Sequence, residues 1–126
     1  MEDELVKKEK KKNVLSQWQD NPPGSSRRLR LLAEAATDFF DKSMEELRSK
    51  VRTNDLVWPR ACCMFISRDA GYTFQFIADW WGRDHGTVYN AVDLVTELRE
   101  TKPAYDKQFR RFALFARSYI QRKDSY

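Results

Sequence analysis

Histidine occurs once in this chain, cysteine twice and glycine only four times among 126 residues. Each shortage excludes something. A lone histidine, His85, and two adjacent thiols, Cys62 and Cys63, cannot supply several convergent ligands, so no metal site is expected. Neighbouring cysteines diverge on a helix, and no spaced set exists from which a disulfide framework could be built. None of Gly24, Gly71, Gly82 and Gly86 lies in a G-x-x-x-x-G-K-S/T loop, so nucleotide-driven chemistry is not expected, nor any other cofactor. Carboxylates are not clustered at metal spacing, and His85 has no obvious group to orient it, so the chain does not read as an enzyme. It has neither a signal peptide nor an apolar run of roughly 18 residues, which fits a soluble, cytoplasmic protein.

Charge of one sign is scarce too. There are 23 basic and 19 acidic residues, and residues 1–26 hold five of each, so the whole excess of +4 belongs to residues 27–126. That excess favours a polyanionic partner only weakly, and placement matters more. Arg27, Arg28, Arg30, Arg110, Arg111, Arg117, Arg122 and Lys123 gather towards the two ends of the region that should fold. Residues 1–26 read as a flexible charged arm. The lysine run from Lys7 to Lys12 is neutralised by neighbouring carboxylates, and the breaker Asn21-Pro22-Pro23-Gly24 separates the arm from one domain over residues 27–126.

That domain is expected to be all-α, a compact bundle of five to six helices. Ser25 or Ser26 caps a first helix running to about Phe40, with Leu29, Leu32, Ala33, Ala36, Phe39 and Phe40 on its apolar face. Ser43 and Glu46 form a capping box that opens a short helix through Lys50. Pro59 suits a first turn, which predicts a third helix starting near Trp58-Pro59 and stopping at Asp69-Ala70-Gly71. A last helix runs from Pro103 to about Arg122, with Tyr105, Phe109, Phe112, Leu114 or Phe115 and Tyr119 facing inward or toward a partner.

Between these lies the most telling stretch, Phe74 to Val92. Phe74, Ile77 and Trp81 fall on one face of a short helix, and Gly82 stands where that helix must end in a left-handed residue. Ala78 is small enough for a second helix to cross closely. Asp84 or Gly86 opens that helix, whose buried stripe is Val88, Ala91, Val92, Val95 and Leu98. Arg83, His85, Thr87, Tyr89 and Asn90 remain on its open N-terminal face. This is a helix-turn-helix, in which such a polar face meets base edges in the major groove. Phe76 and Trp80 give the first motif helix a second apolar face, which is either offered to a partner or, the favoured reading, covered by the C-terminal helix.

From about Leu32 to Leu98 the chain resembles the C-terminal DNA-binding domain of the bacterial chromosomal replication initiator DnaA. Gly82-Arg83-Asp84-His85-Gly86-Thr87-Val88 stands in place of that family's Gly-Arg-Asp-His-Ser/Thr-Thr-Val, and Trp58-Pro59-Arg60 in place of its Arg-Pro-Arg. The resemblance implies a six-helix bundle of the Trp-repressor type. It implies DNA contacts at Arg60, in the minor groove or on phosphates, and at Arg83, Asp84, His85 and Thr87 near the major groove. Trp58 and Gly86 depart from the family's residues, and the turn before Arg83 reads one residue shorter. The initiator's ATPase domain has no counterpart here, so the chain reads as a stand-alone relative.

The residues expected to bind DNA are therefore Arg60, Arg83, Asp84, His85, Gly86, Thr87, Tyr89 and Asn90. The function read from them is a small, sequence-preferring, double-stranded-DNA-binding protein in replication control or transcription regulation. The competing reading is a protein-interaction module, an inhibitor or adaptor of a replication or transcription protein that kept the fold and lost base readout.

Overall fold

The computed structural model describes residues 26–124, and the expectations for the N-terminal arm lie outside that range. Six helices account for most of the described residues: α1 (Ser26–Phe40), α2 (Met44–Arg48), α3 (Asn54–Asp69), α4 (Phe74–Trp81), α5 (His85–Thr101) and α6 (Pro103–Asp124). No strand occurs among them. No helix there is long and apolar enough to cross a membrane.

The third helix lies at the centre, packed by α1, α2, α4 and α5. Its sequence requires that position. Leu56, Trp58, Ala61, Cys62, Cys63, Met64 and Ile66 are buried around its whole circumference, and a helix apolar on all sides must be surrounded. The sixth helix closes the opposite side against α1 and α5. There Phe112 meets the Phe39 and Phe40 rings at 5.5 and 5.1 Å between centroids. Polar ties hold the α1–α6 pair: Tyr119 Oη donates to Glu34 Oε1 at 2.9 Å, Asp124 takes ion pairs from Arg27 and Arg28, and Arg27 also donates to the Lys123 carbonyl.

Three elements differ from expectation. The second helix ends at Arg48 rather than Lys50, because Ser49 turns extended (φ −69°, ψ 171°). The third begins at Asn54, so Pro59 sits inside it rather than in its first turn. Thr53 opens the helix, its carbonyl accepting from the N–H groups of Leu56 and Val57 at 2.9 Å each. The N–H that Pro59 lacks would have served the carbonyl of Asp55, an exposed residue that water can reach. Finally, α6 is not what covers the second face of α4. Trp80 lies under the Arg48 guanidinium, 4.2 Å from its ring centroid, and Phe76 packs on Tyr72. Arg48 also donates to the Trp80 carbonyl at 2.6 Å, which ties α2 to the end of α4. Of the inward aromatics expected on α6, Phe109 and Phe112 are buried, Phe115 and Tyr119 are half-buried and Tyr105 is exposed.

Candidate nucleic-acid interface

The turn between α4 and α5 is built as its sequence suggests. Thr73 caps α4 by accepting from Phe76 N–H at 3.0 Å. Gly82 adopts φ 65° and ψ 38°, and the N–H groups of Gly82 and Arg83 return to Asp79 and Ala78 carbonyls at 3.2 and 2.8 Å. This is the paired closure of a helix ending in a left-handed residue, where any Cβ would be strained. Asp84 then caps α5. Its Oδ1 accepts from both the N–H and the hydroxyl of Thr87, at 2.9 and 3.0 Å. Those two bonds hold the Asp84 carboxyl below the usual carboxylate range, with slight desolvation opposing them and the charges of Arg52 and His85 helping.

With the Thr87 N–H taken by this cap, the first turn of α5 leaves several side chains outward. His85, Gly86, Tyr89 and Asn90 are exposed, while Val88, Ala91 and Val95 face the core. Asn90 carries the paired donor and acceptor that suit an adenine edge. Thr87 keeps its methyl and its hydroxyl lone pairs, its proton being given to Asp84. Tyr89 is 50% exposed, and one face of its ring is stacked on Phe74 with centroids 4.0 Å apart. The other side of Phe74 is covered by the Arg68 guanidinium at 4.7 Å. His85 is held from across the turn, where its Nε2 meets Gln75 Oε1.

Arg60 departs from the expected outward contact. It is only 6% exposed and its guanidinium turns into the protein. Nε donates to the Leu47 carbonyl at 2.5 Å, Nη1 to Val51 at 2.5 Å, and Nη2 to Glu46 at 3.1 Å. The reason is local. Two of these carbonyls belong to the last turn of a five-residue helix, where Glu46 also accepts from the Ser49 N–H at 3.1 Å, and another lies in the extended segment after it. Burial, reinforced by the nearby Arg83 cation and opposed by Asp55, lowers the Arg60 pKa. Arg83 is partly drawn into the same work, since its Nη2 donates to the Ser49 carbonyl.

The connection braced in this way forms one wall of a groove of about 420 Å³. Lys50 and Arg52 stand on that wall, and Gly82, Arg83, Asp84, Thr87 and Asn90 on the other. Lys50 and Arg52 are exposed cations that sequence reasoning missed. Their signal was faint, two basic residues flanking Val51 just ahead of Trp58-Pro59-Arg60. Trp58 serves no groove. It is buried, its Nε1 donates to Gln108 Oε1 at 2.7 Å, and it meets the Tyr105 ring edge-on at 4.8 Å, so it docks α3 on α6.

Cys62 and Cys63 are free and buried, and burial raises both thiol pKa values, so neither has the character of a reactive thiolate. Among the described residues, no three histidine, cysteine or acidic side chains gather as metal ligands.

Residues 30–95, which hold the motif and every residue of the groove, match the family model described as the bacterial dnaA protein helix-turn-helix. The chain is 30% identical over 79 residues to the chromosomal replication initiator protein DnaA of Levilactobacillus brevis, covering 61% of this chain and 18% of that protein. It is 29% identical over 79 residues to the protein of the same name from Treponema denticola, covering 61% of this chain and 17% of that protein. The match thus spans less than a fifth of either relative's length. From α1 to the middle of α5, sequence and architecture agree, and the chain belongs to the bacterial DnaA helix-turn-helix family.

Proposed function

We propose that this chain binds double-stranded DNA with sequence preference, placing the first turn of α5 in the major groove. The observation that carries this reading is the open face of His85, Gly86, Tyr89 and Asn90 beside a groove walled by Lys50, Arg52 and Arg83. Polar side chains at the start of such a helix read base edges, and cations beside them hold phosphates and set register. Asp84 serves first as the helix cap and keeps one carboxylate oxygen for a base-edge amine or water. Arg60 acts indirectly, by fixing the connection that carries Lys50 and Arg52. The relatives' name, chromosomal replication initiator, favours a role in replication control over one in transcription. No chemistry of its own is assigned to the chain, and its task is recognition.

Fluorescence anisotropy with labelled duplexes, titrated at several salt concentrations, tests this reading. Micromolar or tighter binding at low salt is expected. The affinity should fall steeply as salt rises, by about 0.9 in log K per log salt for each phosphate neutralised. Absence of duplex binding at low salt would favour the protein-adaptor reading instead.

A further inference from the structure

Gln75 lies in the first turn of α4, ten residues from His85 and across the turn of the motif. Its side-chain amide is held at both ends. Nε2 donates to Asp79 Oδ1 at 2.6 Å, one helical turn along α4, and Oε1 faces His85 Nε2. Asp79 is an acceptor when ionised, so the amide can present only its NH₂ to that carboxylate. The oxygen must then point at the imidazole, and an amide oxygen can only accept. His85 Nε2 must carry the proton. In the neutral ring Nδ1 is therefore left as the acceptor. No group among the described residues bonds Nδ1, and His85 is exposed on the proposed DNA-facing turn.

We propose that Gln75 is a positioning residue for base readout: the Asp79–Gln75–His85 chain fixes the imidazole with Nε2–H inward and Nδ1 outward. In the major groove, an outward acceptor selects a base that offers an exocyclic amine. Cytosine (N4) or adenine (N6) is favoured at the contacted base over guanine or thymine, which present acceptors there. This specificity rests on the DNA-binding reading above, but the tautomer itself can be examined without DNA.

One histidine in the whole chain makes the measurement clean, since the imidazole nitrogens give a single set of NMR signals. In the free full-length protein, at a pH where the ring is neutral, ¹⁵N spectra should show protonated Nε2, slow to exchange, and unprotonated Nδ1. Gln75→Met keeps the side-chain length but removes the acceptor, and should give two nitrogen shifts averaged by exchange between tautomers. Gln75→Glu restores an acceptor and should restore the fixed tautomer. A protonated Nδ1 in the unaltered protein, or identical spectra for Gln75→Met, overturns the proposal.

The second readout uses sequences selected by the protein from random duplexes. The base whose preference vanishes in His85→Ala should be cytosine or adenine. Gln75→Met should cut discrimination at that base by about tenfold, the lower end for one base contact. Binding to unrelated sequence should be unchanged. The added charge of Gln75→Glu weakens all binding alike, so its discrimination ratio should stay near that of the unaltered protein. Selection of guanine or thymine there, or full discrimination by Gln75→Met, contradicts the base-reading step. Failure of the unaltered protein to bind any duplex would overturn the DNA reading and that step together. The tautomer spectrum would stand unaffected, which tells the two failures apart.

Discussion

The α2–α3 connection and the first turn of α5 face each other across one groove, yet they are held in opposite ways. The connection is irregular backbone after a five-residue helix, and its Ser49 and Val51 carbonyls take arginine donors. Arg60 and Arg83 turn inward to serve Glu46, Leu47, Ser49 and Val51. The first turn of α5 needs no such help, because Asp84 caps it locally and the backbone behind it closes at Gly82. Its outer side chains, His85, Gly86, Tyr89 and Asn90, stay exposed. A segment that cannot satisfy its own backbone recruits side chains that might otherwise reach outward, whereas a well-capped helix end leaves them available. Under the proposed reading, Arg60 and Arg83 brace the connection that carries Lys50 and Arg52, and the first turn of α5 supplies the base-reading side chains.

The sharpest way to break this comparison is Arg60→Ala. It should destabilise the fold by roughly 2–4 kcal/mol, since several charge-assisted bonds to backbone carbonyls are lost at once in a buried place. Arg60→Lys should recover less than half of that, because one ammonium cannot span carbonyls arranged for a planar fork. Urea denaturation measures both. Unchanged stability with weakened DNA binding would instead put the guanidinium outside.

On the other wall, His85→Ala and Thr87→Val should alter sequence preference. His85→Ala should cost roughly 1–3 kcal/mol on the preferred site while leaving the urea midpoint almost unmoved. Selection from random oligonucleotides would expose an unchanged preference, the outcome that contradicts the division of labour. Lys50→Gln and Arg52→Gln should weaken binding to all sequences alike. Each should lower the slope of log K against log salt by about 1, if each cation holds one phosphate.

Acid should act on the cap. The folded Asp84 carboxyl titrates below its unfolded value of about 3.9. Its contribution to stability is therefore complete above that value and is lost as pH falls through the lower, folded one. Asp84→Asn keeps an acceptor for the Thr87 N–H and should flatten this part of the acid limb in thermal melts, and an unaltered limb would assign the acid loss to other carboxylates. The smallest change expected is from Gly86→Ala. A Cβ there would stand 3.4 Å from Asp84 Oδ1, an ordinary contact, and helix propensity favours alanine by up to roughly 1 kcal/mol. A lower melting temperature would mean that the side chain disturbs the cap.

Much of this was legible in the sequence because the signals were local. The capping box at Ser43 and Glu46, the left-handed Gly82 and the buried stripe of Val88, Ala91 and Val95 each follow from neighbours in sequence. The features that escaped depend on partners distant in sequence. Arg60 reads as an exposed contact until the carbonyls of Glu46, Leu47 and Val51 are folded against it. Trp58 reads as a lost arginine until Gln108 and Tyr105 arrive fifty residues later in the chain. Gln75 carries no spacing rule linking it to His85, since their contact crosses a turn whose angle only the fold sets. Pro59 misled for another reason. Proline favours a first turn on average, but Thr53 supplied an earlier start, and the carbonyl that lost its bond belongs to exposed Asp55.

The division between the two walls is tested most directly by a ¹⁵N-resolved NMR titration of the full chain with a selected duplex. The backbone signals of residues 83–90 and of Lys50 and Arg52 should move or broaden. The Arg60 Nε–H signal should persist, still bonded to the Leu47 carbonyl. Perturbation confined to α6 or to the Phe76 and Trp80 face, with residues 83–90 silent, would contradict the account.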